Sequence, residues 1–348
     1  MRESLLRFGI CGLGFMGRQY FAHLRSHPQA RVVAVCDRNA DRRGGRWTDR
    51  IGDLGLGRAG QVDLGGLAVY AEADELIADA DVDVVALALP TPLHAELTVR
   101  ALEAGKHVLC EKPMATTLAE CDRMIAAAER SGRTLMIAHC IRFWPQYELI
   151  KQLVDAGRVG AVRFVALRRL SSLPRHTDGD WMLDGCQSGG ALLDLQLHDV
   201  DFAQHLLGLP TEVYARGWRE PGGRIDHVVA TLGYADGRYV MIEGAWTCAD
   251  PWPFEMAITV HGERGTLDWA LSRGPEVLLY AGGSEPERLS VPDQTGWARE
   301  LDYFISCVAA GRPVTRCLPA ASRTSIALTL LERESIERGA VLKVPQSL

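Results

Sequence analysis

The chain contains no run of about 18 uninterrupted apolar residues, so no segment is expected to span a membrane. It has no excess of basic residues. Lys plus Arg number 38 against 44 Asp plus Glu, a net charge of −6, which argues against a nucleic-acid binder relying on a basic surface. None of its nine cysteines forms a Cys-x-x-Cys pair, and their number is odd. Several lie inside apolar runs, where free cysteine behaves as a small buried hydrophobe, so a reduced, cytoplasmic setting is expected. The first ten residues run into a glycine-rich loop before the apolar region of a signal peptide could develop. No internal repeat, heptad or low-complexity tract is visible. What remains is ordinary in composition: 348 residues, 47% apolar and 24% charged. That length suits two domains and can bury a core without disulfide or metal staples.

The first 140 residues alternate β-branched runs with helix-length amphipathic patterns. Strands are expected at Arg7–Cys11, Arg31–Cys36, Ala68–Tyr70, Asp83–Leu89, His107–Leu109 and Thr134–Ala138, with helices such as Pro92–Ala104 and Leu118–Arg130 between them. Strands separated by helices imply crossovers and a parallel, doubly wound sheet. Gly44–Gly66 is dense in glycine and lacks periodicity, and is read as an irregular excursion. Beyond residue 140 the pattern changes. Helices are expected at Gln146–Ala156, Gly190–Leu207, Trp297–Ala310 and Pro319–Arg338, around strand-like runs from Ala161–Leu170 to Glu276–Tyr280. Asp236-Gly237 is a hairpin signal between two of them. Consecutive strands without helices imply an α+β second domain, residues 141–348, on a large, mainly antiparallel open sheet. A final strand at Val341–Val344 could return to either domain.

The first strand leads into Gly12-Leu13-Gly14-Phe15-Met16-Gly17, a GxGxxG pattern opening a helix. Its glycines allow a tight turn, close approach of backbone to pyrophosphate, and close helix–strand packing. The helix start offers unpaired N–H groups to phosphate. Asp37 ends the second strand 25 residues after Gly12, near the spacing of about 20 at which a carboxylate meets the adenosine ribose hydroxyls. The α/β domain is therefore read as a Rossmann-type dinucleotide-binding domain, with NAD the expected cofactor. Arg38 leaves NADP open, because a guanidinium could welcome a 2′-phosphate.

After the fifth strand comes Cys110-Glu111-Lys112-Pro113, which puts a lysine at the sheet edge where open α/β sheets bind ligands. In the second domain Asp194 and His198 are four apart and share one helix face, with Asp201 and His205 extending the stripe. A metal pair there lacks a third ligand, so no metal is expected.

Taken together, Gly12–Gly17, Ala104–Pro113, Arg142-Phe143-Trp144-Pro145 and Ser188–His198 resemble the Gfo/Idh/MocA oxidoreductases, in the family's order and across both domains. The resemblance implies that Lys112 is the catalytic or substrate-orienting lysine, His198 the proton-relay histidine, and Asp194 the acid that orients substrate. It implies that Glu111 and the Pro90-Thr91 turn line the nicotinamide ribose, and that Arg142 and Trp181 reach the substrate pocket. His94 resembles a family residue near the nucleotide, or serves only the helix start. His176, Asp178 and Asp180 could hydrogen-bond substrate hydroxyls or be solvated loop residues.

The implied activity is hydride transfer between nicotinamide and a secondary alcohol or ketone of a sugar, inositol or related polyol. Two alternatives stand beside it: a catalytically silent NAD(P)-binding ligand sensor, and an NAD-dependent glycosidase using transient oxidation. Trp246, Trp252, Phe254, Met256 and Trp269 fall in or beside the second-domain strands and are expected to form an exposed apolar face. A homodimer or homotetramer joined through that sheet follows, as it does from the resemblance.

Overall fold

A computed structural model describes residues 5–47, 60–174, 178–346 and 348. They form two compact units. The first holds the chain up to His139, together with Trp181 and Trp297–Arg323; the second holds the chain from Cys140, Met182–Gly296 and Thr324–Leu348. The units are thus discontinuous in sequence, because the helix Gly296–Ala309 sets Phe304 against Phe8 and Trp297 against Phe15, ring centroids 6.4 and 5.3 Å apart.

The first unit is built on six parallel strands: β1 (Leu6–Cys11), β2 (Ala30–Cys36), β3 (Ala68–Tyr70), β4 (Val84–Leu87), β5 (His107–Glu111) and β6 (Leu135–Ala138). Their order is β3-β2-β1-β4-β5-β6, which puts β1 and β4 at the centre. Every residue of β4 is buried, as an all-apolar strand covered on both faces should be. The crossover helix Leu118–Ser131 starts where the Thr117 hydroxyl accepts from the Glu120 N–H and stops at left-handed Gly132. Residues 48–59 of the glycine-dense excursion lie outside the described residues. On either side, Arg46–Trp47 pairs antiparallel with Gly60–Gln61, and Trp47 is buried against Phe21.

The second unit carries nine strands: β7 (Val162–Ser172), β8 (Glu212–Arg219), β9 (Ile225–Gly233), β10 (Tyr239–Cys248), β11 (Glu255–Gly262), β12 (Thr266–Ala270), β13 (Val277–Tyr280), β14 (Glu287–Leu289) and β15 (Leu342–Lys343). The order is β14-β13-β12-β11-β7-β10-β9-β8-β15. All pairs are antiparallel except β7 with β10. The last strand therefore joins the second sheet. The Asp236-Gly237 turn closes β9 onto β10, with Gly237 at φ +86°.

One face of this sheet is covered by the helices Pro145–Asp155 and Leu197–Leu207, where Tyr147 sits between Phe202 and Trp269 at 4.8 and 5.6 Å. The expectation about the other face needs correcting. Trp246, Met256 and Trp269 are buried, Phe254 packs on the covered core, and Trp252 is exposed but outside the strands. Pairing explains this: Trp269 is opposite Ile258, which is opposite Leu167, all pointing into the core. Trp246 has the parity of Val240 and Ile242, the core-facing residues of β10, and so is buried with them. Exposed apolar side chains on these strands are instead Tyr280 and a group of Trp218, Val229, Tyr239 and Met241, the latter interspersed with the Arg168–Glu243 and His227–Glu243 ion pairs.

Candidate functional site

The glycine loop has the geometry of a phosphate cradle. Gly12 has φ +94°, and a β-carbon there would stand 2.2 Å from the Ala88 carbonyl oxygen. A β-carbon on Gly17 would stand 1.7 Å from the carbonyl oxygen of Gly12, whereas one on Gly14 would meet nothing within 4 Å. The two outer glycines are thus required by packing, and the middle one faces open space. Gly14 is also the N-cap of the helix Phe15–Leu24; no side chain caps it and its first turn holds no acidic residue. Those N–H groups suit an anion. Phe15 and Met16, in that first turn, are half-buried.

Asp37 is buried at the end of β2 and tied to this loop. Its Oδ2 accepts from the Leu13 N–H at 2.7 Å and its Oδ1 from the Asn39 N–H at 2.8 Å, leaving each oxygen further lone pairs. Arg38 points away into solvent, its nearest ionic partner Glu72 at 3.3 Å. Two arginines that sequence reasoning missed support the same region. Arg43 Nη1 donates to the carbonyls of Asp37 and Arg38 at 2.6 and 2.8 Å, and buried Arg18 donates from Nε to the Leu13 carbonyl at 2.8 Å.

At the carboxyl ends of β4 and β5 lie the turn Pro90-Thr91 and the segment Glu111-Lys112-Pro113, the latter with a cis Lys112–Pro113 bond. His94 spans them: its ring nitrogens lie 2.7 Å from the Pro113 carbonyl oxygen and 2.8 Å from that of Leu89. Of the two readings of His94, the ring thus has a structural task within this edge. Glu111 is buried, and its Oε1 accepts from the Tyr20 hydroxyl at 2.5 Å; Lys112 is half-buried.

In the second unit, Asp194 lies in a single wide turn, Leu192–Gln196, whose hydrogen bonds span five residues, and His198 lies in the α-helix that follows. Such π-turns recur at functional sites. From Ala191 to Ala203, Asp194 and His198 are the only residues that are not buried. Of the two residues expected to extend the polar stripe, His205 is half-buried and Asp201 is turned inward. Asp201 is fully buried and accepts two 2.7 Å hydrogen bonds from Arg142, and its Oδ1 also accepts from Ser325. Arg142 therefore spends two of its donors within the core of the second unit. Neighbouring Asp199 is likewise paired with buried Arg169. Trp181 is half-buried and groups with the first unit. His176 and the side chains of Asp178 and Asp180 lie outside the described residues.

Behind the wide turn, fully buried Gln196 donates from Nε2 to Glu332 at 2.7 Å. Burial pushes the Glu332 carboxyl up to about 8. Among the described residues, His23, His27 and Asp302 form a cluster of metal-ligating type. It has a simpler account: the Gln29 N–H points at His27 Nδ1, which places the proton of a neutral ring on Nε2, 3.3 Å from Asp302.

A six-stranded parallel sheet in this order, with a glycine cradle at β1 and an acid at the end of β2, defines a dinucleotide-binding α/β protein carrying a second, sheet-rich unit. Residues 6–139 match the oxidoreductase family with an NAD-binding Rossmann fold, and residues 147–268 match the GFO/IDH/MocA C-terminal domain. The chain belongs to this GFO/IDH/MocA family and is an NAD-dependent oxidoreductase of the dehydrogenase and reductase type. Among its relatives is trans-1,2-dihydrobenzene-1,2-diol dehydrogenase from Bos taurus, 29% identical over 94% of this chain and 93% of the relative. Another is myo-inositol 2-dehydrogenase from Thermotoga maritima, 29% identical over 88% and 90%. In fold it resembles the WlbA dehydrogenase from Bordetella pertussis, solved with NADH and UDP-GlcNAcA: TM-score 0.79, 23% identity, 98% of this chain and 99% of that one.

Proposed function

We propose that the protein interconverts a secondary alcohol and a ketone on a sugar, inositol or related polyol. NAD, when bound, takes the hydride. Gly12–Gly17 hold its pyrophosphate, Asp37 its adenosine ribose, and Pro90, Thr91 and Glu111 its nicotinamide ribose. The protein must then move one proton and steady the developing alkoxide. Lys112 donates a hydrogen bond to the reacting oxygen, and His198 receives the proton that leaves the hydroxyl, imidazole being able to titrate near neutral pH. Asp194 orients the substrate. The product is the ketone, with one hydride on the cofactor and one proton on the protein for release to water.

The observation that carries this reading is the pairing of Asp194 and His198 as the two unburied side chains on an otherwise buried turn and helix. A sensor would have no need to expose an acid and a base together. The curated relatives named above act, by name, on cyclic diols and polyols, which favours the same substrate class. We further place the protein in the cytoplasm as a homodimer or homotetramer joined through the open face of the second sheet, where Trp218, Val229, Tyr239 and Met241 are exposed. A screen of polyols and aldoses with NAD and NADP, read by absorbance of the reduced cofactor, tests the activity. Net NADH formation with a polyol supports the proposal and excludes transient oxidation as the sole chemistry. Binding of sugars with no turnover on any of them would favour the sensor.

A further inference from the structure

Behind Glu111, three polar side chains line up inside the first unit. Tyr20 and Glu300, on the helices Phe15–Leu24 and Gly296–Ala309, are 1% and 0% exposed, and Glu111 is 7% exposed. The Tyr20 hydroxyl lies 2.5 Å from Glu111 Oε1 and 3.5 Å from Glu300 Oε1. Glu111 Oε2 accepts from the backbone N–H of Lys112 at 3.2 Å. Glu300 Oε2 is buried with no hydrogen-bond partner.

Two ionised carboxylates separated by one phenol and buried this deeply would be destabilised by desolvation and by mutual repulsion; one proton on Glu300 relieves both. Tyrosine has a single O–H but can accept while it donates. The short contact shows where that O–H goes: to Glu111. A neutral carboxylic acid on the other side can donate to the phenolic oxygen, so the row has one direction, from Glu300 through Tyr20 to Glu111. Hydrogen bonds chained this way strengthen one another.

We propose that Glu300 is held as a neutral acid which donates to Tyr20, and that this pair is the positioning device that keeps Glu111 ionised and oriented toward the cofactor. Burial first, then the Glu111 charge, pushes the Glu300 carboxyl up, in the direction the geometry requires. The role of Glu111 toward the nicotinamide ribose rests on the function proposed above; the state of Glu300 does not.

Isotope-edited infrared spectroscopy of the full chain without cofactor, at pH 7, reads that state directly. A protonated-carboxyl band is expected that Glu300→Gln removes and Glu332→Gln does not. No band lost in Glu300→Gln would overturn the proposal. Calorimetric titration with NAD alone then reads the positioning role without any substrate. Tyr20→Phe and Glu300→Ala should weaken NAD binding about tenfold, the scale of one charge-assisted hydrogen bond. Glu300→Gln, whose amide can still donate to Tyr20, should stay within about threefold of the parent. Adding Glu300→Ala to Glu111→Gln should cost nothing more. A folded Tyr20→Phe that binds NAD as the parent does contradicts the positioning role, even if Glu300→Ala fails to fold. Loss of the band in a chain that binds no NAD would uphold the acid state while refuting the cofactor reading.

Discussion

Gly17 lies so close to Gly12 that any side chain on it would collide with the Gly12 carbonyl oxygen, while Gly14 between them has open space around it. Two substitutions that look alike in the motif should therefore behave differently. Gly17→Ala forces the helix off the strand, so both the melting temperature and NAD affinity should fall. Gly14→Ala fits the backbone, whose φ is −72°, and should melt like the parent; its methyl would occupy the space the phosphates need, weakening NAD binding by tenfold or more. Thermal melts and calorimetry on both variants check this. Equal NAD affinity in parent and Gly14→Ala would mean that the cradle does not receive the pyrophosphate.

Much of the fold can be read from local chemistry. β-Branched runs mark the strands of both sheets, Gly12–Gly17 and Asp37 mark the cofactor domain, and Asp236-Gly237 marks a hairpin. Long-range partners cannot be read that way. Tyr20 meets Glu300 across 280 positions and Arg142 meets Asp201 across 59, and no spacing rule links either pair. Trp246, Met256 and Trp269 lie buried where an uncovered face is expected, because the sequence does not show which face of the sheet the helices cover. Asp201 looked like part of an exposed stripe because helical spacing alone does not show which side another element covers.

Arg142 and Asp201 provide a test of structural against substrate-binding roles. Removing one partner leaves the other's charge buried, so Arg142→Ala and Asp201→Ala should each cost about 3–5 kcal/mol in urea unfolding. The double variant should cost less than the sum of the two. If Arg142→Ala left stability unchanged and raised KM alone, the arginine would belong to the substrate instead.

Glu332 makes stability depend on pH. Its carboxyl is held up near 8 in the folded chain, against the ordinary glutamate value of 4.5 in the unfolded one. Between those values the unfolded chain binds fewer protons, so stability falls as pH rises through this window and the full cost is present above it. Glu332→Gln, which keeps the contact with Gln196 without the titrating proton, should flatten that fall. Urea midpoints from pH 5 to 9 measure it, and parallel curves for parent and variant would refute the assignment.

Cofactor choice turns on Asp37. Its carboxylate should favour NAD over NADP, and Asp37→Ala should narrow the gap by weakening NAD more than NADP. Because Asp37 also holds the Leu13 N–H, the variant should melt earlier as well. Titration of both cofactors decides it. A parent that prefers NADP would point to Arg38 as the determinant.

Proton handling by Lys112 and His198 is the central claim, and turnover with the polyol that the screen identifies tests it most directly. Lys112→Ala should lower kcat about 10²-fold or more, the scale of a positioned acid–base group, with NAD affinity nearly intact. His198→Ala should lower kcat and change the shape of the pH–rate profile. Near-parental kcat and pH profile in both variants would contradict the account.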